Sequence, residues 1–192
     1  MIKKKIAGIL FLLLSFTNYF AQSNFRIGGN FNVNVPTGNF ADIAKTGFGG
    51  TLSADYFTSN NSALSFSSSY VNIPINVAPI GIGGKAIDFT ATSYNILFGG
   101  KYFFSHSFFS IVQAGVAFWK LNLNYFDSPS NAVENLSSDY YSYFSAYLGG
   151  GYRYNLAKNK SDAELSVGYN YTNGDSINYN LIVISAGLFI YF

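Results

Sequence analysis

Apolar and polar residues alternate with a period of two along most of this chain, most cleanly at its end. Counting back from Phe192, one parity holds Ile190, Leu188, Ala186, Ile184 and Ile182. The other holds Tyr191, Phe189, Gly187, Ser185 and Val183. A strand shows successive side chains to opposite faces, so residues 178–192 read as a strand with an apolar face and a mixed one. The chain stops on an aromatic residue, an end that would be an aggregation-prone edge in water.

The same period marks seven earlier strands, at residues 25–36, 47–57, 63–73, 87–104, 108–123, 139–154 and 162–171. In the first, Phe25, Ile27, Phe31, Val33 and Val35 oppose Arg26, Asn30, Asn32 and Asn34. In the fifth, Val112, Ala114, Val116 and Phe118 oppose Gln113, Gly115, Ala117 and Trp119. Short turns at 58–62, 105–107 and 155–161 alternate with longer connections at 37–46, 74–86, 124–138 and 172–178, except that the last two are of similar length. All four prolines fall in the longer connections or at a strand end, where no ladder donor is needed. The pattern predicts an all-β fold, an eight-stranded antiparallel up-and-down transmembrane β-barrel. Barrels of this kind usually carry short periplasmic turns and longer outer loops, which puts both termini in the periplasm.

Charge tests that assignment independently, because the faces are defined by apolar residues alone. Arg26, Asp55, Lys101, Arg153 and Glu164 all have inward parity and sit at the turn end of their strands. Lys120 and Asp88 have outward parity but lie near the loop ends. A cation facing lipid at mid-membrane costs about 2–4 kcal/mol, so their exclusion from the outward mid-strand positions fits a membrane barrel. Counting about the hairpins sets Arg26 opposite Asp55 and Arg153 opposite Glu164, favourable cross-strand pairs. We expect these four and Lys101 to form a structural charge cluster closing the lower lumen. Trp119, Tyr143, Tyr147 and Asn170 are expected to line the upper lumen. Eight strands leave an interior just wide enough for side chains, so no open diffusion pore is expected.

Composition agrees with this picture and supplies an address. Among 192 residues only 10% are charged while 19% are aromatic, well below the charge content of about a quarter common in soluble domains. Lys3, Lys4 and Lys5 precede an apolar run at 6–16 and then Thr17 to Ala21, which predicts a signal peptide over 1–21 and a mature domain over 22–192. Without those three lysines the basic residues fall from 11 to 8 against 9 acidic ones, a net charge of −1. Nucleic acid is therefore not an expected partner. The absence of cysteine excludes disulfides and thiolate metal sites.

Candidate chemistry is sparse. His106, the one histidine, lies in a three-residue turn between two serines, which reads as turn chemistry rather than as a nucleophile–histidine–acid set. Gly81 to Lys85 lacks the spacing and following helix of a phosphate loop. Asp127, Glu134 and Asp139 lack the spacing of a calcium loop. The repeated glycines have no helix after them and read as relief of crowding in a small barrel. No catalytic residue, cofactor or metal is expected.

Three stretches carry a resemblance: P-T-G-N-F-A-D-I-A-K-T-G-F-G at 36–49, F-G-G-K-Y-F-F at 98–104, and the terminal G-L-F-I-Y-F. Residues 22–192 resemble the small outer-membrane β-barrel family often labelled porin-like, similar in plan to the OmpX, OmpW and OmpA barrel domains. The resemblance implies an integral outer-membrane protein, structural or binding at the cell surface through its loops. It implies outer-membrane lipid as surroundings, and periplasmic chaperones and the barrel assembly machinery as partners in biogenesis. The terminal Phe192, with Ile190 and Leu188, looks like the C-terminal assembly signal. A monomer is expected. Two other readings share this size: a lipid-modifying barrel enzyme, and an accessory component of a surface secretion or adhesion system. A soluble lipocalin-like barrel would turn its apolar face inward, and the broad aromatic face exceeds what a calyx could hold.

Overall fold

The computed structural model describes residues 24–76, 88–127, 132–158, 160–174 and 178–192. The expected signal peptide and the Gly81 to Lys85 segment lie outside them. Among the described residues nine strands form: β1 (Phe25–Thr37), β2 (Gly47–Ser59), β3 (Ser62–Ile75), β4 (Asp88–Phe103), β5 (Phe108–Asp127), β6 (Ala132–Ser137), β7 (Tyr141–Ala157), β8 (Ser161–Thr172) and β9 (Asn180–Tyr191). All pairings are antiparallel, and β1 pairs with both β2 and β9, closing the sheet.

The barrel nevertheless has eight staves, as the period predicts. β6 and β7 lie on the same edge of β5: Asn122 faces Ser137, and Trp119 faces Tyr141. They act as one strand interrupted at residues 138–140. Here the structure corrects the expected 124–138 connection, since six residues of β5, Asn122–Asp127, pair with β6, the last three of them past the β4–β5 ladder. Asn135 and Ser137 suggest turn chemistry, but they stand in the ladder opposite Asn124 and Asn122 of β5. Pro74 is also inside β3 rather than after it, one position from the strand's end, facing Thr90.

Polarity is inverted relative to a soluble domain. Phe31, Leu52, Phe66, Phe98, Val112, Phe144, Leu148, Leu165 and Leu188 stand exposed on the outer wall. Arg26, Asp55, Ser65, Asn95, Gln113, Ser145 and Asn170 are buried inside. Apolar side chains on the outside lose nothing if the surrounding solvent is lipid, and each strand's backbone groups are satisfied by its neighbours.

Inward glycines make the tight curvature possible. A Cβ on Gly115 would sit 2.0 Å from the Ile96 carbonyl oxygen, and one on Gly99 would sit 1.9 Å from that of Val112. Adjacent strands approach too closely at these points for any side chain.

Candidate functional site: the barrel lumen

The interior is built in three layers, each supplied by inward positions of several strands. At the turn end is a charged floor. Arg26 Nη2 donates to Asp55 Oδ2 at 2.7 Å, and its Nη1 donates to Asp162 Oδ2 at 3.1 Å. The same guanidinium also bonds Glu164. Lys101 Nζ donates to Asp55 Oδ2 and to Glu164 Oε2, both at 3.0 Å. Arg26 and Asp55 are wholly buried. The cations also lie against rings: the Arg26 guanidinium is 4.5 Å from the centre of Phe189, and Lys101 Nζ is 4.7 Å from that of Phe109. These contacts compensate part of the desolvation that a buried ion pair suffers.

Arg153 takes a different place from the one its register suggests. Its backbone faces Glu164, but its Nε and Nη2 donate to the His106 carbonyl oxygen at 3.0 and 2.8 Å. Its nearest carboxylate is Asp162, at 3.9 Å. Glu164 is instead taken by Arg26 and Lys101, which the curvature of the barrel brings to it from β1 and β4. The floor thus also contains Asp162, which shares the parity of Glu164 but opens its strand. Tyr191 completes it, donating from its hydroxyl to Asp162.

The middle layer is polar and uncharged. Ser67 Oγ donates to Gln113 Oε1 at 3.0 Å, Gln113 Nε2 to Ser65 Oγ at 3.1 Å, and Asn95 Nδ2 to Ser69 Oγ at 3.0 Å. Ser145 Oγ donates to Asn170 Oδ1 at 2.9 Å. The remaining cavity is about 80 Å³, room for several waters at about 10–15 Å³ each. Asn32 Oδ1 and Asn34 Nδ2 border it and have no protein partner.

The third layer is an apolar roof at the loop end. Trp119 stacks on Tyr179 with ring centres 4.4 Å apart, and Phe40 meets both edge-on, at 5.8 and 5.2 Å. Val71, Ile73, Ala91, Ala117, Leu181 and Val183 pack around them. Phe40 comes from a connection, not a strand. A 3₁₀ turn, Gly38–Phe40, begins with Gly38 at φ +61°, a left-handed conformation glycine adopts without strain, and turns the loop back into the barrel mouth. Lys45 N–H donates to the Pro74 carbonyl at 2.8 Å and Asn76 N–H to that of Ile43 at 2.6 Å, strapping the loop to the end of β3.

Trp119, Tyr143, Tyr147 and Asn170 therefore lie around the lumen, with Trp119 and Tyr143 in the roof cluster and Tyr147 and Asn170 beside the cavity. Phe40 and Tyr179 join them. Phe40 is a large aromatic in a segment otherwise rich in turn residues, its one available signal, and Tyr179 carries the inward parity of residues 178–192. His106 sits in the bottom turn, remote from the roof. Among the described residues no group of acids and histidine is arranged to hold a metal. Asp139 is exposed, and the side chains of Asp127 and Glu134 lie outside the description. Leu188, Ile190 and Phe192 point outward at the closing seam, where Phe192 N–H donates to the Phe25 carbonyl at 2.9 Å.

Comparison with known proteins bears on the fold and family. Residues 7–188 match the family described as outer membrane protein beta-barrel domain. Ail, the attachment invasion locus protein of Yersinia pestis, superposes with a TM-score of 0.58 at 15% identity, covering 88% of this chain and 99% of that one. Neisserial surface protein A gives 0.55 at 19% identity over 88% and 98%. OprG from Pseudomonas aeruginosa gives 0.51 at 16% identity over 88% and 96%. No curated protein matches the chain in sequence.

Proposed function

The chain belongs to the outer membrane β-barrel family, and on that premise we propose that it is a closed barrel acting by binding at the cell surface, neither a diffusion pore nor an enzyme. The observation that carries this reading is the double closure of the lumen. The Phe40, Trp119 and Tyr179 roof and the Arg26, Asp55, Lys101 and Glu164 floor leave only about 80 Å³ between them.

Residues 1–21 act as the secretory signal, and 22–192 form the membrane domain. Both termini and the short turns face the periplasm. Barrels of this family normally put their longer loops outside, so the β5–β6 hairpin is the main surface feature. Of its six paired positions on β5, Tyr125–Asp127 run past the last β4–β5 pair, about 10 Å at about 3.3 Å per residue. An extended, paired ribbon offers a partner a preorganised edge, and little ordering entropy is lost on binding. Phe192, Ile190 and Leu188 serve as the assembly signal, and the folded protein is a monomer surrounded by lipid.

Planar-bilayer recording tests the closed state. The protein should show no sustained conductance at neutral pH, whereas a steady open level would overturn this reading.

A further inference from the structure

Two glycines on the outer wall have no packing reason to be glycine. A Cβ on Gly29 would find only Leu52, at 3.9 Å, and one on Gly50 only the Asn30 carbonyl oxygen, at 3.5 Å. Both are ordinary contact distances, unlike those at the inward Gly99 and Gly115. Glycine weakens a strand and often marks a place where another molecule approaches the backbone. Gly100 also has room, but it sits alone between Leu64 and Val112. Gly29 and Gly50 instead adjoin. Gly29 faces Leu52, which faces Ser68, while Phe31 faces Gly50, which faces Tyr70. The result is a mostly apolar notch of about 490 Å³ in the lipid-facing wall, floored by Gly29, Gly50 and Ser68 and rimmed by Phe31, Leu52 and Tyr70.

A polar row continues from that rim. Tyr70 packs on Tyr94 with ring centres 5.0 Å apart, and Tyr94 packs on Tyr140 at 6.0 Å. Lys120 Nζ lies 5.3 Å from the centre of the Tyr140 ring. Among the described strand residues Lys120 is the cation that faces outward, and it takes part in none of the ion pairs found among them. It therefore offers a charge beside a row of tyrosine rings, at the loop end of a wall that otherwise meets hydrocarbon. The complementary molecule has an anionic head and apolar tails.

We propose that this surface is a docking site for a phosphorylated, multiply acylated glycolipid of the outer leaflet, its phosphate on Lys120 and an acyl chain in the Gly29–Gly50 notch. The lateral offset between notch and lysine, from β2 to β5, spans roughly 14 Å at about 4.8 Å per strand. That suits a lipid with several chains better than one with two. The inference rests on the outer-membrane reading with the loops outward.

Native mass spectrometry of the detergent-purified protein tests it, with lipid A, dephosphorylated lipid A and phosphatidylglycerol as probes. Lipid A should be retained by the wild type, and Lys120→Gln should lower retention about tenfold, the loss expected for one charge-assisted bond. Gly50→Leu should lower it as well, and the dephosphorylated probe should bind like the lysine variant. Equal retention by wild type and both variants, or no retention at all, overturns the site. Equal binding of phosphatidylglycerol overturns the choice of glycolipid, and a wild-type dimer lost in Gly50→Leu would assign the notch to a second copy instead. Each sample is checked for a heat-dependent gel shift. A wild type without that shift would fail as a barrel, a different failure from a shifted wild type that holds no lipid.

Discussion

Arg26, at the start of the first strand, donates a hydrogen bond to Glu164, 138 positions further on, across the intervening strand β9. With Asp162 it ties β1 to β8 over the seam where the sheet closes. One side chain thus joins the three strands on whose registry closure depends.

Truncating Arg26 to Ala leaves Asp55, Asp162 and Glu164 buried with fewer partners, a loss of about 3–5 kcal/mol. Arg153→Ala removes a partly accessible cation bonded chiefly to a backbone carbonyl, and should cost about 1 kcal/mol. Urea unfolding in phospholipid vesicles would rank the two. Equal midpoints for both variants would show that the floor does not work as a connected network.

Trp119 is the one tryptophan in the chain, so its fluorescence reports on the roof alone. The wild type should emit at short wavelength and resist iodide. Phe40→Ala removes the edge-on ring above it, and should shift the emission to the red and admit the quencher while the barrel stays folded. An unchanged spectrum would mean that the first loop does not close the mouth.

Glycines should divide by face. Gly115→Ala forces a Cβ into the Ile96 carbonyl and should sharply reduce the folded yield, whereas Gly29→Ala should fold like the wild type. Refolding yields in detergent, scored by gel shift, separate the two. Similar yields for both would contradict the assignment of faces.

Deleting Phe192 removes both the last outward aromatic and a backbone bond to Phe25. The assembled fraction in isolated outer membranes should fall, with unfolded protein accumulating in the periplasm. Normal assembly would show that the terminal residue is not part of the signal.

Much of this architecture is legible in the period of two, because parity settles which face a residue joins and hairpin counting settles its neighbour. Arg26 against Asp55 and Arg153 against Glu164 both follow from that arithmetic. What parity does not carry is contact across the lumen. Glu164 binds Arg26 and Lys101 because closing the sheet brings β1, β4 and β8 together, a relation that no single hairpin encodes. Asp162 opens the 162–171 strand with the inward parity of Glu164, so its face is legible from the period, while its bond to Arg26 across β9 is not. Phe40 lies in a connection, where alternation ends and burial depends on how a loop folds back, whereas Tyr179 keeps the inward parity of the 178–192 segment although β9 begins only at Asn180.

The central claim is that this chain forms a closed barrel with its apolar face in the outer membrane. Membrane fractionation of cells expressing it, followed by electrophoresis with and without heating, addresses that claim most directly. The protein should be recovered in the outer-membrane fraction and run as a band whose mobility changes on boiling. Recovery as a soluble periplasmic protein with the same mobility before and after heating would contradict it.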